Sequence, residues 1–262
     1  MSISRIIISD ALKLAWRYKA LWLLGILTGC NRSILGGVTE FLPPGYAQQL
    51  STISPLSLSV DAIFVVLASF AGFALFKSAQ RILSGESPSF PMAIDDAKYY
   101  FWRGLGLAII SIIFTSIINY IFTSLGALIG IGETSALLLS LPIGLAWGVF
   151  ILTSQASLVV EDSGIGQALA KGWELFKANL GKLIGLSISL FFLALLGIVI
   201  VLLPLVLVFP LFALESIVVL ILALLLYMVF IFAFLGYAYC VNMLSWTRAY
   251  MELTKHPDLV SA

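Results

Sequence analysis

The stretch from Leu183 to Leu214, LIGLSISLFFLALLGIVIVLLPLVLVFPLFAL, contains no charged residue, and beyond Glu215 a second uncharged run extends from Ser216 to Thr247. A bilayer core of about 30 Å is crossed by roughly 20 apolar residues in a helix. Each run exceeds that length, which predicts spans that tilt or protrude into the interface. Pro204 and Pro210 close the first run, and Glu215 marks the turn between the two. Working outward, similar stretches run from Ser59 to Phe76, from Gly104 to Gly130 and from Ser135 to Val160. A shorter one from Ala20 to Cys30 needs a helix starting near Ser4 to complete it. The prediction is six transmembrane helices in a single polytopic domain covering residues 1–262.

Composition points the same way. Hydrophobic residues make up 61% of the 262-residue chain and charged residues only 10%, against about 45–50% and about 25% in soluble domains. The mean hydropathy is +1.11. A water-soluble globule and a disordered chain are both excluded. The net charge of +1 provides no basic field for nucleic acid.

The distribution of cations sets an orientation. With six spans, thirteen of the fourteen Lys and Arg residues fall on one side, among them Lys13, Arg17, Lys98, Arg103, Lys171, Lys177 and Arg248; only Arg32 falls on the other. Lys and Arg accumulate in cytoplasmic loops, so both termini are expected in the cytoplasm. Cys30 and Cys240 then lie toward opposite faces, and no disulfide between them is expected.

Three segments that precede the first, third and fifth spans look alike. They are Asp10-Ala11-Leu12-Lys13-Leu14-Ala15-Trp16-Arg17, Asp96-Ala97-Lys98-Tyr99-Tyr100-Phe101-Trp102-Arg103 and Gln167-Ala168-Leu169-Ala170-Lys171-Gly172-Trp173-Glu174. In each, a polar residue precedes an Ala, a Trp stands five residues after it, and a charge follows the Trp. We read three units (4–86, 91–163 and 165–254), each an interfacial amphipathic helix followed by a two-span hairpin. On the first segment Arg5, Ser9, Lys13 and Arg17 form a polar face four residues apart. Such a helix lies in the membrane plane with its cations toward headgroups. Trp16, Trp102, Trp173 and Trp246 are expected to form an aromatic belt at that depth. Arg17, Lys171 and Lys177 are the candidate surface for anionic lipid or a partner, with simple anchoring as the alternative.

Little chemistry is legible. The single histidine, His256, lies in the polar tail, and no motif for a nucleotide, a metalloprotease or a nucleophilic serine occurs. No catalytic residue, metal site or cofactor is expected, and the chain is read as no enzyme. Asp61 is the one ionisable residue near a span interior, read as a helix cap at the outer interface or as a cation or proton site. Ser111, Thr115 and Asn119 share one face of the third span. They either line a polar path for a substrate or make hydrogen bonds between helices. Glycine pairs four apart, Gly25/Gly29, Gly126/Gly130, Gly144/Gly148 and Gly181/Gly185, are expected to pack the bundle.

The run from Asp10 to Gly25, DALKLAWRYKALWLLG, resembles the opening of a group of prokaryotic six-span membrane families. These include the membrane domain found beside glycerophosphodiester phosphodiesterases and neighbouring families of unknown function. Glu161-Asp162-Ser163-Gly164, Gly166-Gln167-Ala168-Leu169, Gly172-Trp173-Glu174-Leu175-Phe176 and Asn179-Leu180-Gly181 are similar to their second hallmark, and Trp246-Thr247-Arg248-Ala249-Tyr250 fits their tail. The resemblance implies a multi-pass protein of a prokaryotic plasma (inner) membrane. In the phosphodiesterase case hydrolysis belongs to a separate soluble barrel, so no catalytic residue carries over. The expected function is a scaffold, accessory subunit or lipid-associated component whose partners are the bilayer, anionic headgroups or other membrane subunits. The alternative is a small-solute or lipid transporter using the third-span stripe.

Overall fold

The computed structural model describes residues 3–29, 55–130, 133–208 and 217–255, and every regular element among them is helical. Helix α1 (Ile3–Arg17) leads through a 3-10 turn (Lys19–Leu21) into α2 (Trp22–Gly29). There follow α3 (Pro55–Leu83), α4 (Phe90–Leu128), α5 (Glu133–Val160), α6 (Ile165–Ala178), α7 (Leu180–Val208) and α8 (Ile217–Lys255). Five helices are long and apolar enough to cross a membrane, over Ala62–Leu83, Phe90–Leu128, Leu138–Val160, Leu180–Pro204 and Ile221–Thr254. The chain is an all-α, multi-pass membrane protein. The first expected span is represented by the shorter apolar stretch Lys19–Gly29. Cys30 and the loop that begins at Asn31 lie outside the described residues.

Two of the three expected interfacial helices are separate elements, and the third is not. The backbone breaks at Tyr18 (φ −104°, ψ 58°) after α1 and at Asn179 (φ −127°, ψ 26°) after α6. Between Tyr100 and Leu107 nothing interrupts the ladder, so the segment around Trp102 runs straight into its span as one 39-residue helix. At 1.5 Å per residue that helix is roughly 58 Å long, about twice the hydrocarbon thickness. Its first turns therefore project from the membrane on the basic side. Asp61 sits inside α3, beyond Pro55, and does not occupy the N-cap position expected for it.

The long helices pair in a regular way. Helices α3, α5 and α8 touch one another. Helix α2 lies against α3 and α8, α4 against α3 and α5, and α7 against α5 and α8. Helix α1 rests on α8 and α7, while α6 rests on α5 and α4.

The buried core is concentrated at the basic end. It includes Phe73 to Phe76, Ala79 and Ile82 of α3, Leu158 and Val159 of α5, and Leu244, Trp246 and Tyr250 of α8. In the far halves of the helices the large apolar side chains point outward, as at Ile113, Leu141, Phe192, Leu203 and Leu226. Lipid tails solvate such side chains as well as a protein interior does, so no hydrophobic penalty follows. Trp246, expected in the interfacial belt, is instead 2% exposed and part of the core, because α8 packs against neighbours on several sides. Trp16, Trp102 and Trp173 are exposed as the belt reading requires, and Ala11, Ala97 and Ala168 five residues earlier are all buried.

Close approach explains some of the glycines. A Cβ on Gly25 would lie 2.2 Å from the carbonyl oxygen of Gly236, and one on Gly236 would lie 2.3 Å from that of Trp22. Helices α2 and α8 thus cross backbone to backbone. Gly29 of the same pair makes room for the Tyr239 ring. By contrast Gly144, Gly148, Gly181 and Gly185 have nothing within 4 Å, so two of the expected glycine pairs are no packing surface.

Candidate functional site

The polar chemistry of the described residues is gathered where the helices emerge at the basic end. Each helix there ends in charged or aromatic side chains, and neighbouring elements exchange them. Arg81 of α3 makes a bidentate pair with Asp96 of α4, both contacts 3.0 Å, and also reaches Glu86 at 3.0 Å. Arg103 of α4 donates to Asp162 at 2.7 Å, and the Tyr99 hydroxyl donates to the same carboxylate at 3.0 Å. Arg248 of α8 bridges Asp10 of α1 and Glu252. Lys77 is held by the Gln80 amide oxygen at 2.8 Å, and the Gln80 nitrogen donates to the Val160 carbonyl at 3.2 Å.

Glu161 is the hub of this network. It follows the last residue of α5 and accepts from Lys171 of α6 and from the Tyr250 hydroxyl of α8. The chain turns sharply after it, with Asp162 in the left-handed region at φ 50°. Partial burial pushes the Glu161 carboxyl up. The hydrogen bonds from Lys171 and Tyr250 and the Lys171 charge outweigh it, so the net shift is downward. Asp162 is also lowered: slight burial raises it, and the Tyr99 and Arg103 hydrogen bonds prevail.

The residues singled out from sequence fall in separate places. Arg17 is exposed at the end of α1, its guanidinium 5.9 Å from the Tyr18 ring centre. Lys171 is engaged by Glu161, and Lys177, also on α6, lies 5.4 Å from the Trp173 ring centre. Arg17 thus lies on α1 and the two lysines on α6, where Lys171 is taken up by Glu161. Ser111, Thr115 and Asn119 lie along the span of α4, Ser111 half-buried and the other two exposed. Thr123 donates to the Asn119 carbonyl at 2.8 Å, an ordinary contact within the helix.

At the corner between α1 and α2 the sequence reading singled out Arg17 and Trp16 but not Lys19, Trp22 or Tyr237. Arg5, Lys13, Arg17 and Lys19 are all exposed, and among the described residues none forms an ion pair. The Lys19 ammonium lies 4.9 Å from the Trp16 ring centre. Trp16 packs on Trp22 (5.5 Å between ring centres) and on Tyr237 (5.9 Å). The signal was present in the sequence as Trp16-Arg17-Tyr18-Lys19, in which aromatics and cations alternate.

A cavity of about 10 Å³ lies between α1, α3 and α8, lined by groups such as Ala15, Leu75, Ala79 and Leu244. That volume holds about one water, and an apolar wall gives it nothing to bind. No group of three or more His, Cys, Asp or Glu side chains that could hold a metal occurs among the described residues. Cys240 is a buried free thiol. The chain matches no family model, no curated protein and no solved structure.

Proposed function

We propose that the chain is a non-enzymatic component of a prokaryotic plasma membrane, a scaffold or accessory subunit that associates with anionic lipid through its basic end. The observation that carries this reading is the run of exposed cations on α1 with no ion pair among the described residues, while Arg81, Arg103, Lys171 and Arg248 are engaged by carboxylates. Cations left free beside an exposed Trp are what a negatively charged leaflet attracts. Lys177, over the Trp173 ring of α6, is a further cation beside an exposed Trp. Lys171 serves the fold through Glu161.

Six spans, both termini in the cytoplasm and a threefold repeat belong to the same proposal, as does kinship with the prokaryotic six-span families. The cyclic pairing of α2, α4 and α7 with α3, α5 and α8 supports the repeat. So does the shared pattern of a buried Ala and an exposed Trp in its three segments. A second reading, transport along Ser111, Thr115 and Asn119, is favoured by the exposure of Thr115 and Asn119 at membrane depth, where an unpaired amide is costly. The concentration of the buried core at the basic end weighs against a continuous path.

Native mass spectrometry of the protein extracted from its own membrane in polymer discs separates the two. The proposal predicts the chain with anionic phospholipid, a stoichiometric membrane subunit, or both. A lone chain that retains a defined polar solute and no anionic lipid would overturn it in favour of transport.

A further inference from the structure

We propose that the corner where α1 turns into α2 is a discrete binding site for the phosphodiester headgroup of an anionic phospholipid, gripped by Arg17 and Lys19 on an aromatic base of Trp16, Trp22 and Tyr237. This rests on the reading of the basic end as a lipid-contacting surface and narrows it to one place.

The corner is rigid for reasons visible in its hydrogen bonds. The Trp22 indole donates to the Ala15 carbonyl at 2.9 Å, and the Tyr237 hydroxyl donates to the Leu12 carbonyl at 3.2 Å. The Leu14 carbonyl accepts from the Tyr18 amide at 3.1 Å. These carbonyls belong to the last turns of α1, where unsatisfied oxygens would otherwise compete for a cation. With these three taken, less of the helix end is left to hold Arg17 and Lys19, both of which are exposed. The closest carboxylate on the same helix, Asp10, is engaged by Arg248. Edge-on ring contacts fix the base, with the Trp22 and Tyr237 centres 5.5 Å apart and their planes 65° from parallel.

Depth selects the ligand. Trp16 is 59% exposed, and Trp22 begins the apolar helix that leaves the corner. The two cations therefore stand at the level where hydrocarbon gives way to headgroups, and the Trp16 face meets the glycerol and first methylenes of the same lipid. A phosphodiester bearing one negative charge accepts from the planar guanidinium and the ammonium together.

The test titrates phosphatidylglycerol or phosphatidylcholine into detergent-purified full-length protein and counts bound lipid by native mass spectrometry. At the usual contribution of each cation near an anionic surface, Arg17→Gln with Lys19→Gln is expected to weaken phosphatidylglycerol binding roughly thirtyfold. Lys19→Gln alone should give roughly a fivefold loss. Arg5→Gln with Lys13→Gln removes the same charge from the same helix away from the corner and is expected to cost at most about threefold. Equal losses in the two double variants would overturn the site in favour of a diffuse basic face, leaving the lipid reading standing. Wild-type protein with no preference for phosphatidylglycerol would overturn both. An unchanged unfolding midpoint in each variant shows that the readout is binding; if the double variant unfolds, Lys19→Gln decides.

Discussion

Replacing Gly25 with alanine is expected to disrupt the protein more than any other single methyl group. The new Cβ would stand 2.2 Å from a backbone oxygen of Gly236 and 2.9 Å from its carbonyl carbon. A flexible side chain could swing aside, but a helix backbone cannot, so α2 and α8 must separate. That strain is about 3 kcal/mol, at the upper end for overpacking, and it falls on the seam that joins the first described helices to the last. Gly148→Ala is the matched control. It meets nothing within 4 Å and gains helix propensity of up to about 1 kcal/mol. Thermal unfolding in mild detergent, followed by size-exclusion profile, should show a large fall for Gly25→Ala and none for Gly148→Ala. Equal behaviour of the two would remove the backbone crossing from the account.

The second large effect is expected at Glu161. Exchanging it for glutamine keeps the shape and removes the charge that Lys171 and the buried Tyr250 hydroxyl both use. Hydrogen bonds to charged groups contribute about 1.5–3 kcal/mol where buried. The Glu161 side chain is 27% exposed, so a loss of about 2 kcal/mol is expected. The pH dependence follows from the downward shifts of Glu161 and Asp162. A carboxyl with a lower pKa folded than unfolded contributes its stability above the unfolded value. That contribution disappears as the pH falls below the groups' ordinary values and through their lowered folded values. Wild-type protein should therefore lose stability between pH 6 and pH 3 faster than Glu161→Gln with Asp162→Asn. Parallel curves for the two proteins would show that this hub is not a source of acid sensitivity.

Much of this architecture was legible in the sequence, because a span is a local property. The uncharged runs around Leu183–Leu214 and Ser216–Thr247 could hardly be anything else, and the structure makes α7 and α8 of them. Long-range partnerships were not legible. Gly25 and Gly29 looked like one small-residue pair among four, and only the fold shows that Gly25 meets a backbone far along the chain at Gly236. Trp246 has the neighbours of an interfacial tryptophan, but a helix packed on several sides turns it inward. Lys171 looked free because its partner Glu161 lies across a turn whose Asp162 adopts an uncommon backbone conformation. The continuity of α4 was hidden because the residues around Trp102 resemble those around Trp16, where the chain does break.

Every functional argument above requires the packed, charged end of the bundle to face the cytoplasm. Single cysteines that leave the charge unchanged can be placed at exposed positions of that end, Ser9, Ser87, Ala170 and Thr254, and at Ser135 on the far end. The background should have Cys30 and Cys240 replaced by serine. With a membrane-impermeant maleimide on intact cells, Ser135→Cys is expected to label at once and the other four only after permeabilisation. Labelling of the four basic-end positions from outside, with Ser135→Cys protected, would contradict the orientation and the lipid-facing role built upon it.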